Sequence, residues 1–402
     1  MRLVLIGPAR PLRGGVAQHT TRLAAAAEAA GHDVLLLSYA RLYPRWLYPG
    51  RAMREPDDAG AAVGRPVLIP WWPPTWRAAA RAALAHGPDL VVIQWWVPFL
   101  GPMAAWLAWR LARGGARVAW LCHNVLPHEG GGPVDRAVIR AALGRGDAWL
   151  VHSRSDADAL AALLGPARLA RGRLAVTAMP AVAPEAAQPP PDRAAARRAL
   201  GVPGGAPLAL FFGFVRPYKG LDVLIDALPA ARAAVPGLRL WVAGECWTPA
   251  RDLAAQAHAL GLGAAEVTIE DAYLPAAEAG IRFAAADVCV LPYRSATQSA
   301  VATAAFAHGL PVIASRVGGL PDAVADGVDG LLVPPGDPAA LAAAIARFFT
   351  EPGLAAHLAA GAAARGAQLG WAPMVAVIEG LARVGDDPGP QRDRWAAGRS
   401  SG

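Results

Sequence analysis

Short, nearly unbroken apolar runs alternate along the chain with longer segments in which small and apolar residues recur every three or four positions. The runs at residues 2–7, 33–39, 67–70, 90–95, 118–124, 148–153 and 174–179 predict strands, and Ala-rich segments such as 16–30 and 156–164 predict the helices between them. Strands that are apolar on both faces, each followed by a helix, build a parallel sheet covered on both sides. Residues 40–65 break this rhythm as a Pro- and Arg-rich loop, long enough to be functional rather than connective. Residues 179–191 read as a stiff linker, because Pro180, Pro184, Pro189, Pro190 and Pro191 remove backbone donors and restrict the chain. The strand pattern then restarts at 208–214, 238–245, 267–273, 287–292 and 311–315. The expected fold class is α/β, with two doubly wound Rossmann-like domains whose parallel sheets face each other across a cleft, the natural place for a ligand. The expected boundaries are 1–184 and 185–370, then a helix over 371–384 packing back towards the first domain, and a polar tail over 385–402, expected to be disordered.

Two apolar stretches invite a membrane reading and fail it. Residues 90–109 carry no charge, but Pro98, Gly101 and Pro102 interrupt them, so a buried strand and a buried helix over 102–113 fit better than a span. The opening run ends in Gly7-Pro8 and reads as a strand, not a signal peptide.

Composition then narrows the picture. The 402 residues suit two ordinary domains, and a 54% hydrophobic share with 17% charged residues excludes a disordered chain. Cys122, Cys246 and Cys289 are odd in number and far apart, which fits reduced thiols in a cytoplasmic protein rather than a disulfide frame or a zinc site. The charge is lopsided: up to Glu185 there are 21 Arg against 12 Asp and Glu, and from Asp192 onward 17 Lys and Arg against 19 Asp and Glu. The basic half also holds Trp46, Trp71, Trp72, Trp76, Trp95, Trp96, Trp106, Trp109, Trp120 and Trp149. Arg with Trp suits peripheral contact with an anionic lipid surface, or a lipid-linked acceptor, and equally suits a coding bias towards both residues. Scattered arginines with no RNA- or DNA-binding signature argue against nucleic acid.

That bias makes two survivors informative. The chain has one lysine, Lys219, and one asparagine, Asn124; Lys219 lies in the loop after a predicted strand and Asn124 ends another, where open α/β sheets bind ligands. Lys219 lies in Arg216-Pro217-Tyr218-Lys219-Gly220, two cations just before a helix start, suited to converge on a diphosphate with the helix dipole behind them. Gly14-Gly15 lets backbone approach a ligand at another helix start, in a turn too long for the dinucleotide fingerprint. Gly318-Gly319 forms a similar turn in the second domain. Upstream of it, Thr297, Gln298 and Ser299 offer hydroxyls and an amide to an anion or a sugar, although Thr297 or Ser299 also suits a plain N-cap.

The residues 212–222, 286–292, 308–321 and 327–337, with Arg13-Gly14-Gly15-Val16 and Cys122-His123-Asn124, resemble the family 4 retaining glycosyltransferases of GT-B fold. The likeness covers nearly the whole second domain in order and the first more loosely. It implies a nucleoside diphosphate sugar as donor substrate, no metal and no other cofactor. Arg216 and Lys219 would hold the donor diphosphate, and the Gly15 backbone would face the phosphates. His123 would lie near the donor sugar and the acceptor hydroxyl, with Asn124 beside it. Tyr273 and Leu274 would meet the base. The family's two glutamates are replaced by Ala296 and Ala304, as in a branch with Ala-Thr-Gln-Ser at this place. That leaves the sugar to Gln298, Ser299 and main-chain amides, and suggests Glu245 for the ribose.

Further candidates keep two readings each. Asp156-Ala157-Asp158 has metal-binding spacing but opens a helix, where carboxylates suit the dipole. His19 faces the ligand or packs, His128 and Glu129 could touch an acceptor, and Trp95-Trp96 stacks on a sugar or fills core. The expected activity is retaining transfer of a hexosyl group to a glycan or lipid-linked acceptor. The alternative is an inactive sugar-nucleotide-binding partner or regulator. A nicotinamide-dependent dehydrogenase is disfavoured because the glycine fingerprint is missing.

Overall fold

The structure, a computed structural model, describes residues 1–44, 46, 52–54, 63–127, 131–181 and 191–383. It divides into two compact units, one formed by Met1–Ala178 with the segment from Trp371 onward, the other by Met179–Gly370.

The first unit holds β1 (Arg2–Ile6), β2 (Asp33–Tyr39), β3 (Arg65–Leu68), β4 (Leu90–Trp95), β5 (Val118–Cys122), β6 (Ala148–Val151) and β7 (Arg173–Val176). They form one parallel sheet in the order β3-β2-β1-β4-β5-β6-β7. β4 and β5 are buried at every position, as a sheet covered on both faces requires. The uncharged stretch over 90–109 resolves into β4, a short 3-10 turn at Pro98–Leu100 and most of a helix, and no helix among the described residues is long and apolar enough to cross a membrane.

Helices α1 (Gly15–Ala29), α2 (Pro73–Ala85), α3 (Gly101–Arg113), α4 (Pro133–Leu143) and α5 (Arg154–Leu164) cover the sheet. α1 buries Ala17, Thr20, Leu23, Ala24 and Ala27, an i, i+3, i+4 stripe of mostly small side chains. Against that stripe packs the last described helix, Ala372–Ala382, through Met374, Val375, Ile378 and Leu381. On the other face α2, α3 and α4 pack side by side over Trp95 and Trp120 of the sheet.

The second unit holds β8 (Leu208–Phe212), β9 (Arg239–Ala243), β10 (Val267–Glu270), β11 (Val288–Leu291), β12 (Val312–Ser315) and β13 (Gly330–Val333), all parallel in the order β10-β9-β8-β11-β12-β13. The sequence pattern did not predict β13, a four-residue edge strand directly after the turn at Gly327. In each unit the chain winds outward in both directions from one pair of central strands, β1 with β4 and β8 with β11. The loops leaving those pairs are where such sheets bind ligands.

Candidate functional site

In the second unit the loop after β8 runs into a 3-10 turn, Pro217–Lys219, and then into the helix Leu221–Ala234. Gly220 joins the two at φ 65°, and a Cβ there would lie 2.1 Å from the Pro292 carbonyl oxygen, so only glycine lets the turn press against the end of β11. Arg294 locks the same junction. Its backbone N–H donates to the Tyr218 carbonyl (2.7 Å), and its guanidinium donates to the Pro217 carbonyl (3.1 Å) and to both carboxylate oxygens of Asp222. The Arg294 hydrogen bond holds the Asp222 carboxyl below its ordinary range.

Lys219 is thereby fixed in a buried position, 8% exposed, with its ammonium 5.4 Å from the centre of the Tyr293 ring. It makes no salt bridge among the described residues. Burial first, and the Arg216 charge second, lower its pKa to about 8. The nearby Cys289 is an inert thiol, pushed up to about 12 by burial. Arg216 lies over the rings of Trp247 (4.6 Å) and Tyr218 (5.3 Å). Phe214 contacts both Trp247 (5.4 Å) and Tyr273 (6.4 Å), so an aromatic wall stands beside the two cations. Two positive groups packed together, one of them buried without a carboxylate, form a site that an anion would relieve.

Two further segments meet at the same sheet end. Gly318 has φ 55°, and a Cβ on it would fall 1.4 Å from the Ala296 carbonyl oxygen. Gly319 N–H donates to that same oxygen (3.3 Å). The Gly318-Gly319 turn and the 294–299 loop are therefore one support. Ser299 caps the helix Ala300–Ala307, its hydroxyl accepting from Ala302 N–H (3.2 Å), while Thr297 and Gln298 are half-buried before it. Glu245 is buried at the end of β9, its carbonyl accepting from Val215 N–H (3.0 Å). Leu274 is half-buried beside Tyr273.

In the first unit Gly14 caps α1 and Gly15 opens it, and among the described residues no atom beyond their chain neighbours lies within 4 Å of where a Cβ would stand on either. Beneath them three histidines meet. His19 of α1 lies 4.8 Å from His123 and 5.6 Å from His152, ring centre to ring centre, with Trp371 at 4.9 Å. His123 Nε2 donates to Gln94 Oε1, and His152 Nδ1 donates to the Thr177 carbonyl (3.1 Å). Both His19 nitrogens and His152 Nε2 are buried with no hydrogen-bond partner among the described residues. Burial, reinforced by the mutual proximity of the rings, holds His19 and His123 well below the usual imidazole range, and burial lowers His152 to about 4. All three are neutral near pH 7. Asn124 follows His123, half-buried, its amide donating to the Trp96 carbonyl (3.5 Å).

Residues 206–351 match the family model described as glycosyl transferases group 1, and residues 13–176 match the one described as glycosyltransferase family 4. The chain belongs to the family 4 glycosyltransferases. A D-inositol 3-phosphate glycosyltransferase of Streptomyces bingchenggensis is 33% identical over 296 residues, 70% of this chain and 64% of that protein. One of Acidothermus cellulolyticus is 37% identical over 200 residues, 48% of this chain and 44% of that protein. The chain thus spans about half to under two thirds of the length of these relatives. In structure it is similar to the Anabaena protein HepE in complex with UDP-glucose, with a TM-score of 0.73 at 20% identity over 94% of this chain and 99% of that one. The fold of this family 4 chain is GT-B.

Several residues of this family 4 chain fall to structural roles. Asp156 is buried and joined to Ser153 in a reciprocal cap of α5, its backbone N–H donating to the serine oxygen and the serine hydroxyl donating to its carboxylate, while Asp158 is exposed. No cluster of three or more His, Cys, Asp or Glu among the described residues could hold a metal ion. Trp95 fills core edge-on to Trp120 at 6.1 Å, and Trp96 donates its indole N–H to the Tyr43 hydroxyl (3.1 Å). His128 and Glu129 lie outside the described residues. Sequence reasoning missed Gln94, His152, Trp247, Arg294 and Asp222. Each acts through a partner brought near by the fold, except that Arg294 directly precedes the Ser295–Ser299 stretch and was a signal within reach.

Proposed function

We propose that this protein transfers a hexosyl group from a nucleoside diphosphate sugar to a glycan or lipid-linked acceptor, with retention at the anomeric carbon and without a metal. The observation that supports this best is Lys219: a buried ammonium beside Arg216, without a carboxylate partner among the described residues, at the start of a helix and next to an aromatic wall. A diphosphate supplies the missing negative charge, and the base has Phe214, Trp247 and Tyr273 to lie against. The UDP-glucose held by HepE agrees with such a donor.

In this reading the second unit binds the donor and the first binds the acceptor, and the Gly15 backbone serves the donor phosphates. The bond from the anomeric carbon to the diphosphate oxygen breaks as the acceptor oxygen bonds the same face of that carbon, and the departing phosphate takes the acceptor proton. Lys219 and Arg216 stabilise charge that grows on the leaving group, which is catalysis by positioning and anion stabilisation. His123, held neutral and oriented by Gln94, orients the sugar and the acceptor hydroxyl.

The test is donor turnover with EDTA present, over acceptors that include D-inositol 3-phosphate and polyprenyl-linked sugars. Wild-type turnover with losses of at least a hundredfold in Lys219→Ala and Arg216→Ala is expected. Near-normal rates in both variants would remove the diphosphate role. A second reading, a non-catalytic sugar-nucleotide binder, is favoured by Ala296 and Ala304 in place of two glutamates. Tight donor binding without transfer or hydrolysis across that panel would select it.

A further inference from the structure

The arginines of the two units are used differently. In the second unit they pair with carboxylates: Arg282 with Glu270 and Glu278, Arg294 with Asp222, Arg316 with Asp326. On the outer face of the first unit they do not. Arg77 and Arg81 of α2, Arg110 and Arg113 of α3, and Arg136 and Arg140 of α4 form no ion pair among the described residues. The only acid on these helices is Asp135, and it is occupied in accepting from Gly132 N–H at the start of α4 (3.2 Å).

The same face shows large apolar side chains to solvent. Trp72, at the entry to α2, is 57% exposed, Trp109 on α3 is 41% exposed, and Val134 at the start of α4 is 76% exposed. Trp76, Trp106 and Trp109 run as a chain of rings about the α2–α3 contact, spaced 6.1 and 6.3 Å, and Arg113 lies 5.2 Å from the centre of the Trp109 ring. Unpaired arginines interleaved with exposed indoles on adjacent packed helices suit one kind of surface: anionic headgroups for the guanidinium groups and the interfacial layer for the indoles.

We propose that the outer face of α2, α3 and α4 docks this protein on an anionic lipid bilayer. A second copy of the chain fits worse, since a two-fold contact through this face would set arginine against arginine with one aspartate per copy to offset them. The proposal stands on the surface alone and does not need the donor site to be right.

The experiment is co-sedimentation of the full chain with vesicles of phosphatidylcholine alone and with 30% phosphatidylglycerol, added as the probe lipid, at about 0.1 M and 0.5 M salt. Binding to the anionic vesicles at least about tenfold above the neutral ones, and lost at high salt, is expected. Trp72→Ala with Trp109→Ala should lower it about fivefold or more, and so should Arg77→Gln with Arg81→Gln, with unchanged circular dichroism and melting temperature. Equal binding to both vesicles would overturn the proposal. So would full binding by the tryptophan pair variant, which would mark a general polyanion patch such as one for nucleic acid. A dimer in light scattering that disappears in Trp109→Ala would assign the face to self-association instead.

Discussion

In the proposed reaction Lys219 is the residue on which the chemistry turns, and its burial makes that site sensitive to pH. A phosphate needs the ammonium form, and that form is already half lost near pH 8 in the free protein. Above that value each binding event must take up a proton, so affinity for UDP or GDP should fall about tenfold per pH unit. Calorimetric titration between pH 7 and 10 would measure this, and Lys219→Arg, whose guanidinium stays charged throughout, should flatten the profile. Lys219→Ala should weaken nucleotide binding by about 1.5–3 kcal/mol, the range for a hydrogen bond to a charged group. Gly318 is the second sensitive point. A methyl group at its φ of 55°, 1.4 Å from the Ala296 oxygen, forces the 294–299 loop away. Gly318→Ala should therefore cost about 2 kcal/mol or more in urea unfolding and loosen nucleotide binding with it.

Among the elements, the strand ends β4, β5 and β6 with α1 bring Gln94, His123, His152 and His19 together from four separate places in the chain. Their neutrality has a stability consequence. The unfolded chain binds protons to these rings near pH 6.5, whereas folded His152 resists until about 4. The unfolded state thus holds more protons in that window, and stability falls as pH drops from 6.5 towards 4. The urea midpoint should decline over that range and decline less in His152→Gln. This cluster also marks the limit of what a linear reading can see. Alternating apolar runs announce the parallel sheets, because strands buried on both faces cannot be written otherwise, and Arg216 with Lys219 stand out because the chain spends so few lysines. His152 gives no such signal: it looks like any strand-end histidine until the fold stacks it on two others. Ser299 takes up the N-cap role that the sequence allowed for it, through the bond from Ala302 N–H. Trp95 likewise belongs to the core, which its neighbour Trp96 hides from the pattern. The two-residue side-chain lock of Arg294 on Asp222 spans 72 positions and has no local signature.

For the molecule as a whole, sequence order and spatial order part company. The first unit is built from both sides of the second, because the helix Ala372–Ala382 supplies Met374, Val375, Ile378 and Leu381 to the stripe of α1. Arg173 fastens it by donating to the carbonyls of Gly380 (2.7 Å) and Arg383 (3.0 Å), and Glu379 meets His32 at 2.9 Å. A chain ended at Gly370 should keep the melting transition and nucleotide response of the second unit, while the first binds a hydrophobic dye and melts early. Scanning calorimetry with and without UDP would check both. On a ribosome, this means the later-made half is complete before the earlier-made one. The sheet of the first unit emerges ahead of the second unit yet must wait, with one flank bare, for the 11 residues of Ala372–Ala382 translated after it, and a chaperone meeting the nascent chain would find its target there.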